Sequence, residues 1–163
     1  MAGSAGRDLE ITDFVGAGAL RAYRKRLMNA AKQKAKVNGN HSAVWLLDDE
    51  SSSLKATKRL LNSAGWEVEV FTDPSLFVQE ASTHRPRLAV IDMWMPLMHG
   101  LEVQERLSEV SPATRVIVLT GKDDPHIRSR ALAAGAAAFF SKPASGDDFL
   151  AAIQSAILTA ATE

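Results

Sequence analysis

The sequence predicts an α/β protein: a parallel sheet of five strands with helices on both faces. Three observations predict it. From Ala43 onward, short apolar runs alternate five times with stretches of helical period. Several of these runs are apolar at every position, the pattern of strands buried on both faces. Glycine or proline punctuates the joints, at Gly65, Pro74, Gly100, Pro125 and Gly135.

The elements follow in order. "AVWLL" (43–47) is the first strand, and 51–65 the first helix. A serine can cap that helix, Leu54, Leu61 and Ala64 recur at helical spacing, and Gly65 stops it. "EVEVF" (67–71) alternates like a strand. Asp73-Pro74 opens the second helix, proline being suited to the first helical position. "LAVID" (88–92) is the third strand, and Gly100 to about Val110 the third helix. "RVIVLT" (115–120) precedes a fourth helix from Pro125 to Ala134, stopped by Gly135. "AAAFF" (136–140) is a short fifth strand, and the last helix runs from about Gly146 to Thr159.

Composition narrows the function classes. The 163 residues contain no cysteine, which excludes disulfides, thiolate metal sites and a thiol nucleophile. No apolar run approaches the roughly 20 residues of a spanning helix, and the N-terminus lacks the apolar core of a secretory signal. The expectation is a cytoplasmic protein. Charge is uneven: residues 1–41 hold eight Lys/Arg against three Asp/Glu, residues 42–163 eleven against sixteen. That divides the chain into a basic helical extension and linker (1–41) and an acidic domain (42–163).

In an open parallel sheet, ligands bind beyond the carboxyl ends of the strands. The first strand ends in Asp48 and Asp49, the third at Asp92, the fourth at Thr120, the fifth near Lys142. If the first and third strands are neighbours, ~4.8 Å apart, three carboxylates share one crevice. Unpaired, they repel, and some stay protonated. A hard dication relieves this, and Mg²⁺ suits a few carboxylates plus water and phosphate oxygens. With an amine and a hydroxyl added, the set fits a phosphoryl group. Asp92, on the central strand, is the best placed nucleophile, and its product would be an aspartyl phosphate.

The segments "LLDDE", "VIDMWMPLMHG", "VIVLTG" and "FFSKP" together resemble the CheY-like receiver domain of response regulators in bacterial two-component systems. Asp49 to Asp92 spans 43 residues, a further 28 reach Thr120, and 22 more reach Lys142. The resemblance covers about Ser42 to Ala160. It implies the flavodoxin-like (βα)5 sandwich with sheet order 2-1-3-4-5. It implies Asp92 as phosphoacceptor, and Asp49, with Asp48 acting largely through water, as acids of the Mg²⁺ site. The backbone carbonyl of Trp94 would be a further metal ligand. Lys142 would pair with the phosphate, Thr120 and Phe139 would form a switch, and Lys142-Pro143 would be cis. Phe140 and the methionines around Trp94 are expected to pack, and His99 to face solvent.

The resemblance also implies partners: a sensor histidine kinase or a phosphotransfer protein as donor, and a changed surface for a downstream protein. This makes the chain an acceptor rather than a turnover enzyme. No output domain is expected in this chain. Trp94 and Lys122 depart from the family pattern at positions bordering the phosphate, and a large indole there predicts slow self-dephosphorylation. Three other readings stand beside this one: an adaptor that works unphosphorylated, the receiver segment of a hybrid histidine kinase, and a phosphohydrolase of the haloacid dehalogenase type. The last needs an acid two residues after its nucleophile, where Trp94 stands.

The extension reads as a helix over 13–37, with seven basic and no acidic residues from Arg21 to Lys36. It suits a solvated linker, a homodimerising or docking helix through Leu20, Tyr23 and Leu27, or a contact with nucleic acid or anionic membrane. No aromatic interleaving supports direct nucleic-acid binding.

Overall fold

The structure is a computed structural model, described over residues 44–143 and 146–160. The basic extension, its expected helix over 13–37 and the linker lie outside the described residues. Among these residues the order is β1 (Val44–Leu47), α1 (Ser51–Ser63), β2 (Val68–Phe71), α2 (Pro74–His84), β3 (Leu88–Ile91), α3 (Gly100–Val110), β4 (Arg115–Thr120), α4 (Pro125–Ala133), β5 (Ala138–Ser141) and α5 (Gly146–Thr159). All strands pair in parallel, in the order β2-β1-β3-β4-β5. This is the flavodoxin-like sandwich.

Period two explains how the uniformly apolar runs build it. Val44 and Leu46 of β1, Leu88 and Val90 of β3, and Ile117 and Leu119 of β4 face a core shared with α1 and α5. Trp45, Leu47, Ala89, Ile91, Val116 and Val118 face the opposite core, shared with α2, α3 and α4. Each fully buried side chain, such as Phe77 or Phe149, stabilises by about 1.5–3 kcal/mol. Both cores therefore hold β1, β3 and β4 rigidly, and these are the strands that carry the site.

Local signals set the helix ends. Asp73 accepts hydrogen bonds from the Ser75 and Leu76 amides at 2.7 and 3.2 Å. Asp124 does the same for His126 and Ile127 at 2.9 and 3.2 Å. Both acids precede a proline at the first helical position. The expected serine cap of α1 is not formed: Glu50 holds that position without a side-chain cap bond.

The fifth strand starts two residues later than its composition predicts. Gly135 turns at φ +95°, and the Ala136 amide returns to the Ala131 carbonyl at 3.0 Å, closing the helix end. Ala136 and Ala137 complete this turn, and β5 then runs on to Ser141. The shift matters because it delivers Lys142 directly from the strand end.

Candidate functional site

β1 and β3 run in register, Leu47 opposite Ile91, so Asp48 and Asp92 leave adjacent strands at the same level. The Asp92 amide donates to the Leu47 carbonyl at 2.9 Å, which joins the two ends. Asp49 follows at the surface. One carboxylate oxygen from each of Asp48, Asp49 and Asp92 lies within 4.8 Å of the others. Lys142 reaches them because its amide donates to the Thr120 carbonyl at 2.7 Å, tying the chain after β5 to the end of β4. Its Nζ donates to Asp48 Oδ2 and stands 3.4 Å from Asp92 Oδ2. The peptide bond that follows, Lys142-Pro143, is cis.

Asp48 and Asp92 are each only 6 % exposed. Burial pushes the Asp92 carboxyl above its ordinary value. Lys142 opposes this shift, Asp48 adds to it, and the Trp94 and Met93 amides oppose it. In metal-free buffer the folded protein therefore holds this proton more tightly than the unfolded chain. The resulting stability is fully present below the ordinary value of 3.8 and is lost as pH rises through the folded-state value. Asp92→Asn is expected to flatten this decline in urea titrations with chelator present. An unchanged slope would mean that Asp92 keeps an ordinary affinity for its proton.

The remaining expected residues surround this cluster. Thr120 is fully buried at the end of β4, and its hydroxyl lies 3.4 Å from both the amide and the carbonyl of Lys122, in its own loop. Trp94 links Asp92 to the loop after β4. Its amide donates to Asp92 Oδ1 at 3.4 Å and its indole Nε1 to the Lys122 carbonyl at 3.3 Å. The Lys122 ammonium stacks 4.9 Å from the indole centroid, and exposed His99 meets the ring edge-on at 5.2 Å. Phe139 is a neighbour rather than a member. It points into the opposite core and is 7 % exposed. Phe140 packs edge-on against Phe149, as expected of a core residue.

Gly100 is a site residue that its role as a helix start concealed. A Cβ there would stand 2.3 Å from the Asp92 carbonyl oxygen and 2.9 Å from Met93 Cα. Only glycine lets α3 begin this close to the Asp92 backbone. Its neighbours in sequence, an apolar loop and an amphipathic helix, give no signal of that approach.

The donor set is three carboxylates, oxygen throughout, which fits a hard divalent cation and disfavours a soft one. Lys142 sits beside it as a fixed positive charge. Such a cluster could hold a divalent metal ion.

Comparison with known proteins identifies the family. The profile of the response regulator receiver domain matches residues 44–154. The response regulator protein TodT of Pseudomonas putida is 34% identical over 116 residues, covering 71% of this chain and 51% of its own. The chain thus spans about half the length of the curated relatives it matches. The crystal structure of a CheY-like receiver domain from Methanospirillum hungatei superposes with a TM-score of 0.67 at 27% identity, covering 72% of this chain and 94% of that one. The beryllofluoride-activated NtrC4 receiver domain, solved as a dimer in solution, gives 0.68 at 27% identity, covering 72% and 97%. With its sheet order, its acid crevice and this match, the chain belongs to the response regulator receiver domain family of two-component signal transduction.

Proposed function

We propose that this domain is a phosphoacceptor that takes a phosphoryl group from a phosphohistidine onto Asp92, in a pocket completed by Mg²⁺. The convergence of Asp48, Asp49 and Asp92 with the Lys142 ammonium supports this reading most directly. In the transfer, an Asp92 carboxylate oxygen attacks phosphorus and the P–N bond to histidine breaks. The imidazole keeps the electron pair and takes up a proton. Asp48, Asp49, one Asp92 oxygen and the Trp94 carbonyl would hold the metal, which would neutralise charge on the phosphoryl oxygens. Lys142 pairs with the same oxygens, and Thr120 becomes their donor once its hydroxyl leaves the Lys122 backbone. Thr120 and Phe139 then form a two-state element whose balance phosphorylation shifts.

The donor in this reading is a sensor histidine kinase or a phosphotransfer protein. The domain turns over no metabolite. Its downstream partner would read the changed surface, with self-association as in the NtrC4 receiver dimer one form of that readout. No helix among the described residues is long and apolar enough to cross a membrane, and a cytoplasmic location follows from the proposed donor. Mass spectrometry and size-exclusion chromatography, with and without acetyl phosphate, test this reading. One added phosphoryl group on Asp92 is expected. An unmodified protein under saturating donor and Mg²⁺ would defeat it.

Two outcomes follow from the pocket. Mg²⁺ should raise the unfolding midpoint, by about 1.4 kcal/mol of stability at tenfold excess over its dissociation constant. Asp49→Asn should weaken that gain, because Asp49 is the exposed acid of the three. Equal gains in both proteins would remove Asp49 from the metal site. In this reading the Trp94 indole, held by the Lys122 carbonyl, would restrict water at Asp92. Trp94→Ala is therefore expected to shorten the phosphoryl half-life by about tenfold. A wild-type half-life of seconds, or no change in the variant, would contradict shielding.

A further inference from the structure

Arg128 projects from the first turns of α4 onto β5. Its guanidinium carbon lies 4.5 Å from the centroid of the Phe139 ring, and its Nη1 donates to the Phe139 carbonyl at 3.3 Å. The same guanidinium is held from the other side. Nε and Nη2 donate to the two oxygens of Asp123 at 3.2 and 2.7 Å, and Ser141 Oγ donates to Asp123 Oδ2 at 3.3 Å. That two-point hold fixes the plane of the fork as a single ion pair does not. It keeps Asp123 ionised, its carboxyl lying below the usual range through the hydrogen bond from Arg128. The ring beneath is buried while Arg128 itself remains partly exposed, so the cation acts as a cap on an aromatic that faces the core.

The position of the anchor gives the cap its meaning. Asp123 directly follows Lys122, and Lys122 touches both the Thr120 hydroxyl and the Trp94 indole through its backbone. One short loop, 121–124, thus contacts the acid crevice through Trp94 and Thr120. It contacts the Phe139 ring through Asp123 and Arg128.

We propose that the Asp123–Arg128 clasp holds the Phe139 ring in its buried arrangement and couples that arrangement to the phosphoryl site through loop 121–124. Arg128 is a positioning residue: it touches none of the groups that would react. The coupling half of the proposal rests on the phosphoacceptor reading, whereas the hold on the ring does not. By linkage, the coupling is reciprocal: if phosphoryl binding shifts the ring's balance, the ring's balance shifts phosphoryl affinity.

The test uses the full chain with a fluorophenylalanine incorporated at Phe139, read by fluorine NMR, alongside beryllofluoride titration with Mg²⁺. The expected wild-type spectrum is one line at a buried shift. Arg128→Gln, which keeps length but loses the charge and the fork, should move that line toward its solvent position and change beryllofluoride affinity by about fivefold. Asp123→Asn should move it the same way, and Arg128→Lys, which keeps a cation over the ring, should restore part of the shift. Both clasp residues are partly exposed, and thermal melts confirm that the variants fold. An unmoved line in Arg128→Gln overturns the proposal. So does a moved line with unchanged affinity. A wild-type protein that takes up no beryllofluoride sinks the phosphoacceptor reading instead, and the fluorine line still decides the clasp.

Discussion

Asp92→Asn is expected to reduce labelling by acetyl phosphate to less than about 1% of wild type, because an amide offers no ionised oxygen to phosphorus. The substitution is nearly isosteric, so the crevice survives it and the loss reports chemistry rather than folding. Two other carboxylates stand close enough to act as substitutes, and the geometry ranks them below Asp92. Asp48 is engaged by the Lys142 ammonium and accepts from the Glu50 amide at 2.9 Å. Asp49 is exposed and lacks the buried setting that holds a phosphoryl group away from water. Asp92 alone leaves the central strand, faces Lys142 at 3.4 Å and accepts from the Trp94 amide. Intact-mass measurement, with peptide mapping of any modified species, decides the matter. A phosphoryl group mapped to Asp48 or Asp49 in the variant would show that the pocket accepts phosphate without committing Asp92 as nucleophile.

How much of this was legible in the sequence depended on whether a residue's surroundings were local. The runs at 44–47, 88–91 and 115–120 declared themselves because strands buried on both faces leave no polar position. Asp48, Asp49 and Asp92 could be placed because a charge ending such a run has only the strand edge to occupy. Lys142 followed from the same rule, although the strand before it runs from Ala138 to Ser141 rather than from 136 to 140. Its register was set by a helix-closing hydrogen bond from Ala136, which composition does not reveal. The rest depended on contacts between distant segments. Arg128 lies eleven residues before Phe139, on a helix face that reads as solvated, and its grip on the ring appears only when α4 packs on β5. The inward turn of the Thr120 hydroxyl onto Lys122 likewise depends on the loop's path, not on its composition.

Gly100→Ala should be the most damaging small substitution in the domain, costing about 3 kcal/mol of stability and most of the phosphoacceptor activity together. Alanine is the better helix former, and propensity alone would predict a gain of about 1 kcal/mol. Sterics reverse the sign. The new methyl would lie 2.3 Å from the Asp92 carbonyl oxygen, and this neighbour is backbone that cannot swing aside as a side chain would. Relief requires α3 to back away from the end of β3. That would break the bond from the Gly100 amide to the Met93 carbonyl at 3.1 Å and displace the Asp92 carboxylate with its peptide. A displacement of this kind separates Asp92 from Lys142 and from the other two acids, so stability and Mg²⁺ affinity should fall in step. Gly146→Ala is the matched control, since it also opens a helix but a Cβ there meets nothing within 4 Å. It should leave stability unchanged or raise it by a few tenths of a kcal/mol, about what helix propensity allows at a helix end. Urea unfolding with and without Mg²⁺ measures both variants. Equal midpoints for the two would mean that the close approach of α3 to Asp92 is not what holds the acid in place.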